Sequence, residues 1–290
     1  MTPILIFGKS GQVALALGRL GDIAGHPVVC LGRGEVDIAD GRAVAGAVER
    51  ERPVLAVNAA AYTAVDGAET EPEQAHAVNA DGPGHLARAC AAAGIPLIHL
   101  STDYVFDGHG DRPYREDDPV APLNVYGRTK LAGEESIRER LDRHLILRTS
   151  WIFSAAGSNF VTTMLRLGAE RDDLGIVDDQ SGSPTFAGDI AAAISALAEQ
   201  VLSAGDETAW GTYHMTNAGH TTWYGFATEI FALAGAAGRK VPSSVRPIAT
   251  EDYPTPATRP HYSILDTAKL RTAFGVALPP WQDALVRCLA

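Results

Sequence analysis

Short apolar runs alternate with longer helical segments through the first half of the chain, and this alternation restricts the possible folds more than any other feature. The runs contain few polar residues, which is typical of strands in a parallel sheet that helices cover on both faces. Five strands are predicted in this way: Ile4–Phe7, Val28–Leu31, Val54–Val57, Pro96–Leu100 and Leu145–Leu147. Helical segments accompany them: Gln12–Leu20, Arg42–Arg52, Glu73–Ala93 and Tyr126–Leu141. This order predicts a doubly wound parallel sheet of the α/β class.

Beyond Thr149 the pattern loosens. The sequence predicts a helix over Phe160–Ala169, a strand at Gly175–Val177 and a helix over Ala187–Leu202. Pro- and Thr-rich stretches follow, above all Tyr253–Pro260, and predict long ordered loops between short elements. We therefore expect a sheet domain over residues 1–149 and a smaller mixed domain over residues 150–290, whose loops suit substrate recognition and which returns elements to the sheet. Without a repeat or a flexible linker, the two should pack tightly around an active site.

The composition argues against several classes of protein. The formal net charge of -11 would repel a phosphate backbone, so nucleic acid is not an expected partner. The chain lacks both a cationic, apolar signal segment and the ~18 consecutive apolar residues of a membrane span, so we expect a cytoplasmic protein with no membrane partner. Cys30, Cys90 and Cys288 are scattered and show no metal-ligand spacing, so neither disulfides nor zinc are predicted.

A glycine-rich turn follows the first predicted strand and leads into a helix. It reads Gly8-Lys9-Ser10-Gly11-Gln12-Val13-Ala14. Gly8 permits a tight turn, Gly11 removes a Cβ that would block a pyrophosphate, and the free N–H groups of the helix start take the place of cationic side chains. The spacing GxxGxxA departs from GxGxxG, and an ordinary strand–helix turn is the alternative. The position after the first strand favours a dinucleotide site of the Rossmann type, formed by Gly8, Ser10, Gly11, Gln12 and Val13.

Three later segments would complete the cofactor site. Arg33 stands where an acidic residue would bind an adenosine ribose, and its pairing with a 2′-phosphate would favour NADPH over NADH; a solvated loop arginine is the alternative. Asp37 and Ile38 would flank the adenine, or Asp37 is an ordinary turn carboxylate. The small side chains of Asn58-Ala59-Ala60-Ala61 would leave room for the cofactor, or they only begin an Ala-rich helix.

Thr102, Tyr126 and Lys130 form the predicted catalytic group. Thr102 ends the fourth strand, and Tyr126 and Lys130 are four residues apart, which places both on one face of a helix. An ammonium group there should lower the pKa of the phenol and bind the nicotinamide ribose. Tyr126 would protonate the oxygen of a ketone that receives hydride, while Thr102 polarises the carbonyl. For the pair alone, a tyrosine packed on a surface lysine is the alternative; the ordered set of motifs favours catalysis.

Seven segments carry a resemblance that is more specific than any single motif. They are GKSGQVA, VNAAAYTAVDGAE, STDYVFDG, PLNVYGRTKLAGE, LRTSWIF, DDQSGSPT and YPTPATRP. Together they resemble the dTDP-4-dehydrorhamnose reductases, a family of extended short-chain dehydrogenases/reductases, over Ile4 to Trp281. The resemblance implies a Rossmann-type sheet and NADPH- or NADH-dependent reduction of the C4 ketone of dTDP-4-dehydro-β-L-rhamnose to dTDP-β-L-rhamnose. The implied partner is this dTDP-sugar, bound by a monomer or a homodimer.

The same resemblance implies roles for individual residues. Those that would contact the cofactor are Ser10, Gly11, Gln12, Asp37, Ile38, Ala61, Tyr62, Thr63, Tyr126 and Lys130. Those that would face the sugar are Thr102, Asp103, Tyr126 and Trp151. Those that would lie where the family holds the nucleotide are Asn159, Phe160, Gln180, Pro184, Thr185 and Arg259, the last as a pyrophosphate contact. The alternatives are a plain core position for Trp151 and a loop ion pair for Arg259.

Some family members form dimers bridged by Mg²⁺ through glutamates, and Ala16 replaces one of these glutamates here, which argues against that metal site. Two other interpretations remain beside the rhamnose reductase. A reductase of another dTDP-4-keto sugar, from a streptose or antibiotic pathway, would have identical catalytic residues. A regulatory binding subunit of methionine adenosyltransferase would carry out no reduction, and the intact Thr102, Tyr126 and Lys130 argue against it.

Overall fold

A computed structural model describes residues 1–290 as an α/β protein built on a seven-stranded sheet. The strands are β1 (Ile4–Phe7), β2 (Asp22–Ile23), β3 (His26–Leu31), β4 (Leu55–Asn58), β5 (Leu97–Thr102), β6 (His144–Thr149), β7 (Ile152–Phe153), β8 (Asp173–Val177), β9 (Ser181–Gly182), β10 (Thr185–Phe186), β11 (Gly211–His214), β12 (Thr221–Thr222) and β13 (Ser244–Ile248). The α-helices are α1 (Gln12–Leu20), α2 (Gly41–Glu51), α3 (Val65–Thr70), α4 (Pro72–His76), α5 (Gly82–Ala93), α6 (Val125–Arg138), α7 (Phe160–Glu170), α8 (Ala187–Ala204), α9 (Trp223–Ala236), α10 (Ala268–Phe274) and α11 (Trp281–Leu289).

The main sheet has the strand order β11-β6-β5-β4-β1-β3-β2, and all its pairs are parallel except β2 with β3. Strands β2 and β3 lie on one side of β1, whereas β4 and the later strands lie on its other side, so the strand order reverses at β1. In sheets of this kind, ligands bind outside the carboxyl ends of the strands where the order reverses. Strand β11 comes from the second half of the chain and pairs with β6. Three two-stranded sheets join β10 to β7, β12 to β9 and β13 to β8.

Strand β1 explains why the sheet is covered on both sides. All four of its side chains are fully buried, and alternate residues enter opposite layers of the core. Ile4 and Ile6 pack in a cluster with residues of α1 and α8, whereas Leu5 and Phe7 pack in a second cluster with residues of α2, α5 and α6. The continuous apolar run seen in the sequence is therefore the signature of a strand with two buried faces.

The five predicted strands and the doubly wound fold are confirmed, with strand ends shifted by one or two residues. The helix predicted over Glu73–Ala93 is interrupted by a π-helical turn, Ala77–Asp81, between α4 and α5. The expectation of only short elements between long loops in the last part of the chain is wrong, because the 14-residue helix α9 lies there, followed by α11. Helix α9 is apolar on several sides, since it packs against α7, α11, β8 and β13, and so lacks a clear amphipathic pattern.

The second half of the chain has an apolar core of its own, built from α7, α9, α11 and β8. Phe226 lies at its centre, fully buried and in ring contact with Phe153, Phe160 and Trp281. None of the helices is both long enough and apolar enough to cross a bilayer. The structure contains no group of three or more His, Cys, Asp or Glu side chains that could hold a metal ion.

Candidate active site

Three adjoining cavities run from the carboxyl ends of the strands into the second half of the chain. The first cavity, about 340 Å³, is lined by Gly8, Ser10, Gly11, Arg33, Asp37, Ile38, Ala60, Ala61, Tyr62 and Thr63 among others. The second cavity, about 480 Å³, is lined by Gln12, Val13, Thr102, Asp103, Tyr126, Lys130, Trp151 and Asn159 among others. The third cavity, about 500 Å³, includes Phe160, Gln180 and Arg259. The first two share Ser10 and Gly11, and Trp223 borders both the second and the third.

The glycine turn between β1 and α1 has the geometry of a phosphate cradle. Gly8 has φ 129°, and a Cβ there would lie 3.1 Å from the backbone of Ala59. Gly11 is the N-cap of α1 and offers no side chain to the first-turn N–H groups, which are therefore available to a ligand. A dinucleotide pyrophosphate fits this end of the helix because backbone donors and the helix dipole both favour an anion.

The residues predicted for the adenosine end surround the first cavity. Arg33 is mostly exposed, and its Nε lies 3.3 Å from Asp37 Oδ2. Asp37 also accepts a hydrogen bond from the Ala39 N–H, which fixes the carboxylate beside the buried Ile38. Tyr62 is held through its N–H by Asn79 Oδ1 (2.8 Å) and through its hydroxyl by Glu71 (2.6 Å). The cavity thus has an apolar wall at Ile38 and two cations along its lining, Lys9, paired with Glu35, and the exposed Arg33.

Strand β5 and helix α6 bring the predicted catalytic residues together. Thr102 ends β5, and its Oγ1 donates to Asp103 Oδ1 (3.0 Å). Tyr126 and Lys130 lie on α6, whose start is capped by Asn124 accepting the Gly127 N–H. A Cβ on Gly127 would lie 2.2 Å from the Tyr104 carbonyl oxygen, so only glycine lets α6 approach the end of β5 this closely.

Burial controls the protonation of this group. It raises the pKa of Tyr126 to about 12, and a nearby Thr102 hydroxyl opposes the rise. Lys130 is not among the groups that shift the pKa of Tyr126 here, so a lowering of the phenol pKa by Lys130 stays a prediction. Lys130 is itself buried, which lowers its pKa to about 8, and its Nζ donates to the Leu100 carbonyl (2.7 Å). Burial also raises the pKa of Asp103 to about 6, and Asp103 Oδ2 has no hydrogen-bond partner.

A buried ion pair stands behind the catalytic residues. Glu134, one turn after Lys130, accepts two hydrogen bonds from Arg148 of β6 (2.9 and 2.7 Å), and both side chains are almost completely buried. Arg138 and the Ser101 hydroxyl complete the set of donors. Hydrogen bonds to Arg148 and its charge hold the pKa of Glu134 below its usual value despite burial. Through Glu134, these contacts connect α6 to Ser101 of β5 and to Arg148 of β6, next to the catalytic residues.

Two stacked indoles separate the second and third cavities. Trp151 has φ 45°, in the left-handed region, and its ring lies 3.5 Å from that of Trp223 with an interplanar angle of 7°. A Cβ on Gly182 would lie 2.4 Å from the Trp151 ring, so glycine makes room for the indole. Trp223 Nε1 donates to Gln180 Oε1 (3.2 Å), which fixes the second indole. The stack on Trp223 and the space left by Gly182 thus hold Trp151 in its strained backbone conformation.

Of the remaining predicted residues, three border the cavities and two do not. Arg259 borders the third cavity but forms a bidentate pair with Asp66 (2.8 and 2.8 Å), the loop ion pair that was the alternative interpretation. Asn159 caps α7, and Phe160 packs on Trp223. Pro184 and Thr185 are buried and line none of the three cavities; the Thr185 hydroxyl donates to the Ser183 carbonyl.

Four further residues of the site were not singled out from the sequence. Trp223 and Asp66 border cavities, Tyr104 packs edge-on against Tyr126, and His99 contacts Lys130 from β5. Thr222, which caps α9, was the one available signal for Trp223. No local signal marks His99, whose strand pattern only predicts burial.

The doubly wound sheet, the glycine turn at β1 and the Tyr-x-x-x-Lys pair beside it define the class of short-chain dehydrogenases/reductases. Comparison with known proteins narrows this class. The family model described as "RmlD substrate binding domain" matches residues 1–290, and the chain belongs to that family.

Relatives of this family are similar to the chain over nearly its whole length. A dTDP-4-dehydrorhamnose reductase of Streptomyces griseus is 49% identical over 282 residues, which is 97% of this chain and 91% of the relative. The crystal structure of a dTDP-4-dehydrorhamnose reductase from Clostridium acetobutylicum aligns with a TM-score of 0.90 and 36% identity, covering 99% and 98% of the two chains. The dTDP-4-dehydrorhamnose reductase of Bacillus anthracis, solved in complex with NADP, gives 0.90 and 35% with the same coverage.

Proposed function

We propose that this chain is an NADPH-dependent reductase that converts the C4 ketone of dTDP-4-dehydro-β-L-rhamnose to the alcohol of dTDP-β-L-rhamnose. The observation that carries the proposal is the convergence of Thr102, Tyr126 and Lys130 in one cavity beside the glycine turn. The names of the Streptomyces, Clostridium and Bacillus relatives support the choice of substrate. NADP in the Bacillus structure supports the choice of cofactor, as does Arg33 at the rim of the first cavity.

The residues of the first and second cavities fit a nicotinamide dinucleotide. Gly8 and Gly11 would hold the pyrophosphate, Asp37 and Ile38 the adenine, and Lys130 the nicotinamide ribose. When bound, this cofactor supplies a hydride to the carbonyl carbon. Arg33 is paired through Nε with Asp37, which leaves its two terminal NH₂ groups available to bind a 2′-phosphate. NADH, which lacks the 2′-phosphate, would leave Arg33 paired with Asp37 alone.

The protein supplies the proton that reduction requires. A pKa of about 12 keeps Tyr126 in its neutral form throughout the physiological range, so the hydroxyl is always loaded as a donor. The oxygen of a reduced ketone is a stronger base than a phenolate, so proton transfer from Tyr126 runs downhill. Thr102 would donate a hydrogen bond to the same oxygen as negative charge develops there. Positive charge on Lys130 would then stabilise the phenolate that Tyr126 leaves behind.

The second and third cavities would hold the two parts of the nucleotide sugar. Asp103 Oδ2, buried and without a partner, is available to accept a hydrogen bond from a sugar hydroxyl, and Trp151 offers an apolar wall to the methyl face. The third cavity, which Phe160, Gln180 and Arg259 line, would hold the nucleotide. Arg259 would act there through its charge unless the sugar nucleotide displaces Asp66. Pro184 and Thr185 would act only by supporting the fold of this wall.

The proposal is tested by incubating the purified protein with dTDP-4-dehydrorhamnose and either NADPH or NADH, and identifying the product by NMR. We expect dTDP-β-L-rhamnose with loss of absorbance at 340 nm, and a higher kcat/KM with NADPH. A panel of other dTDP-4-keto sugars tests substrate choice, because they share the catalytic residues and differ only in the walls of the second cavity. No NADPH oxidation with any of these sugars would refute the proposed activity.

A further inference from the structure

A buried chain of hydrogen bonds connects the backbone of β4 to the catalytic lysine. The Ala60 N–H donates to Asn58 Oδ1 (3.1 Å), Asn58 Nδ2 lies 3.0 Å from His99 Nδ1, and His99 Nε2 lies 3.5 Å from Lys130 Nζ. Asn58 and His99 are fully buried and Lys130 is 2% exposed. Neither Asn58 nor His99 contacts the space that the substrate would occupy, so the reductase mechanism gives them no role.

The Asn58 amide decides which ring nitrogen of His99 carries the proton. Because the Ala60 N–H requires an acceptor, Asn58 presents Oδ1 to it and turns its NH₂ group towards His99. His99 Nδ1 must therefore accept, which leaves the single proton of a neutral imidazole on Nε2. Complete burial keeps His99 neutral by lowering its pKa well below the usual value. His99 thus directs an N–H, not a lone pair, at Lys130.

A donor directed at Nζ suits an amine and opposes an ammonium group. A neutral lysine has two N–H groups and one lone pair; it can donate to the Leu100 carbonyl and accept from His99 Nε2 at the same time. An ammonium group has no lone pair, so its N–H would meet the N–H of the imidazole. The geometry of β5 and the tautomer of His99 therefore favour the uncharged form of Lys130 in the cofactor-free protein.

The other charged and titratable groups near Lys130 do not reverse this preference. Glu134 lies one turn away and attracts a proton to Lys130, but its charge is engaged by the buried Arg148 and by Arg138. The positive charge of Arg138, like His144 when it is protonated, disfavours a proton on His99. Tyr126, neutral up to about pH 12, contributes no charge, and Asp103, which lines the same cavity and is ionised above about pH 6, is not among the groups that shift the pKa of Lys130.

We propose that His99 is a positioning residue that weakens the hold of Lys130 on its proton and, in mildly alkaline solution, keeps the neutral amine on the Leu100 carbonyl, so that binding of the dinucleotide there is coupled to the uptake of one proton by Lys130. The inference rests on the proposed function only in taking NADPH as the ligand. Ribose hydroxyl oxygens beside Nζ accept hydrogen bonds and so favour the ammonium form, in which Lys130 can stabilise the phenolate of Tyr126. The proton taken up equips the site for catalysis.

The test is the pH dependence of NADPH affinity, measured by the fluorescence of the bound nicotinamide between pH 7 and 10. The direction follows from linkage: where the free protein has lost the proton and the complex keeps it, affinity falls as pH rises. With a pKa of about 8 for free Lys130, the Kd should be nearly constant below pH 7.5 and should rise about tenfold per pH unit above pH 8.5. Lys130→Arg is the matched control, because arginine does not titrate in this range and its Kd should stay flat.

Asn58→Asp should move the proton of the His99 imidazole from Nε2 to Nδ1. A carboxylate at this position accepts from His99 Nδ1, which moves the imidazole proton from Nε2 and presents a lone pair to Lys130. We expect the rise in Kd to begin at least one pH unit higher than in the wild type. Side-chain ¹⁵N NMR of wild-type His99 provides a readout that needs neither a variant nor the cofactor, and should show a protonated Nε2 and an unprotonated Nδ1.

Three results would overturn the inference: a protonated Nδ1 on wild-type His99, a Kd for NADPH that stays constant up to pH 10, or a folded Asn58→Asp variant with the inverted tautomer and the wild-type pH profile. If Asn58→Asp does not fold, the first two measurements still decide. Failure of the proposed function looks different. A protein that binds NADPH with the expected pH profile but reduces no dTDP-4-keto sugar would refute the function and leave the inference standing.

Discussion

Replacing Tyr126 by phenylalanine removes the proton donor while leaving the wall of the site in place. The phenylalanine ring keeps the edge-on contact with Tyr104 (ring centroids 5.8 Å apart), and only the hydroxyl near Thr102 is lost. Loss of a positioned general acid typically costs a factor of ~10²–10⁴ in rate. This corresponds to about 3–5 kcal/mol on the barrier, at 1.36 kcal/mol per tenfold. The free energy of unfolding should change by only ~1 kcal/mol or less, because at most one hydrogen bond is lost.

The assay for Tyr126→Phe combines steady-state kinetics with a separate measurement of the NADPH Kd. We expect kcat to fall by two to four orders of magnitude, as estimated above, and the Kd to change less than about threefold, since Lys130 and the glycine turn are intact. Tyr104→Phe is the matched control: it removes a phenol hydroxyl from the same cavity wall and should cost less than about tenfold in kcat. A kcat for Tyr126→Phe within about fivefold of the wild type would refute the assigned role.

Three more predictions concern the surroundings of this group. Glu134→Ala leaves Arg148 buried without its carboxylate and should lower the free energy of unfolding by about 3–5 kcal/mol, measured by urea denaturation. Gly182→Ala places a Cβ 2.4 Å from the Trp151 ring and should raise the KM for the sugar nucleotide about tenfold or more while the NADPH Kd stays unchanged. If ionised Asp103 accepts a sugar hydroxyl, kcat/KM should fall as pH drops through about 6, and Asp103→Asn should lack this limb.

Controls separate these effects from general damage. Glu134→Gln keeps the shape of the side chain and one acceptor oxygen, so it should lose less stability than Glu134→Ala. Gly46→Ala adds a methyl group where nothing lies within 4 Å and should leave KM and the NADPH Kd at wild-type values. An unchanged sugar KM in Gly182→Ala would contradict a role for the Trp151 position in substrate binding. An acid limb that persists in Asp103→Asn would assign it to another group.

The sheet was predictable because its strands are buried on both faces. Ile4–Phe7 has no polar residue, and its flanking glycine turn marks where the strand ends and α1 begins. The same logic failed for α9, whose apolar residues face several partners at once and hide the helical period. Strand β11 was also missed, since the short run Gly211–His214 has no continuous apolar pattern and pairs only at the edge of the sheet.

The candidate site was predictable where a motif fixes the local geometry. Tyr126 and Lys130 share a helix face by spacing alone, and Thr102 reaches them because parallel strands end at the same edge. Their electrostatics were not predictable, because the pKa of Tyr126 depends on burial that only the packed structure reveals. Contacts between distant segments, such as the stack of Trp151 on Trp223, depend on how the second half of the chain folds onto the sheet.

The most direct test of the account is the fate of an isotope label. The protein is incubated with dTDP-4-dehydro-β-L-rhamnose and NADPH carrying deuterium at the transferable position of the nicotinamide, and the sugar is analysed by mass spectrometry and ¹H NMR. The account predicts dTDP-β-L-rhamnose with one deuterium, bonded to C4 of the sugar. Recovery of the unreduced ketone, or of a product with deuterium at any other carbon, would contradict it.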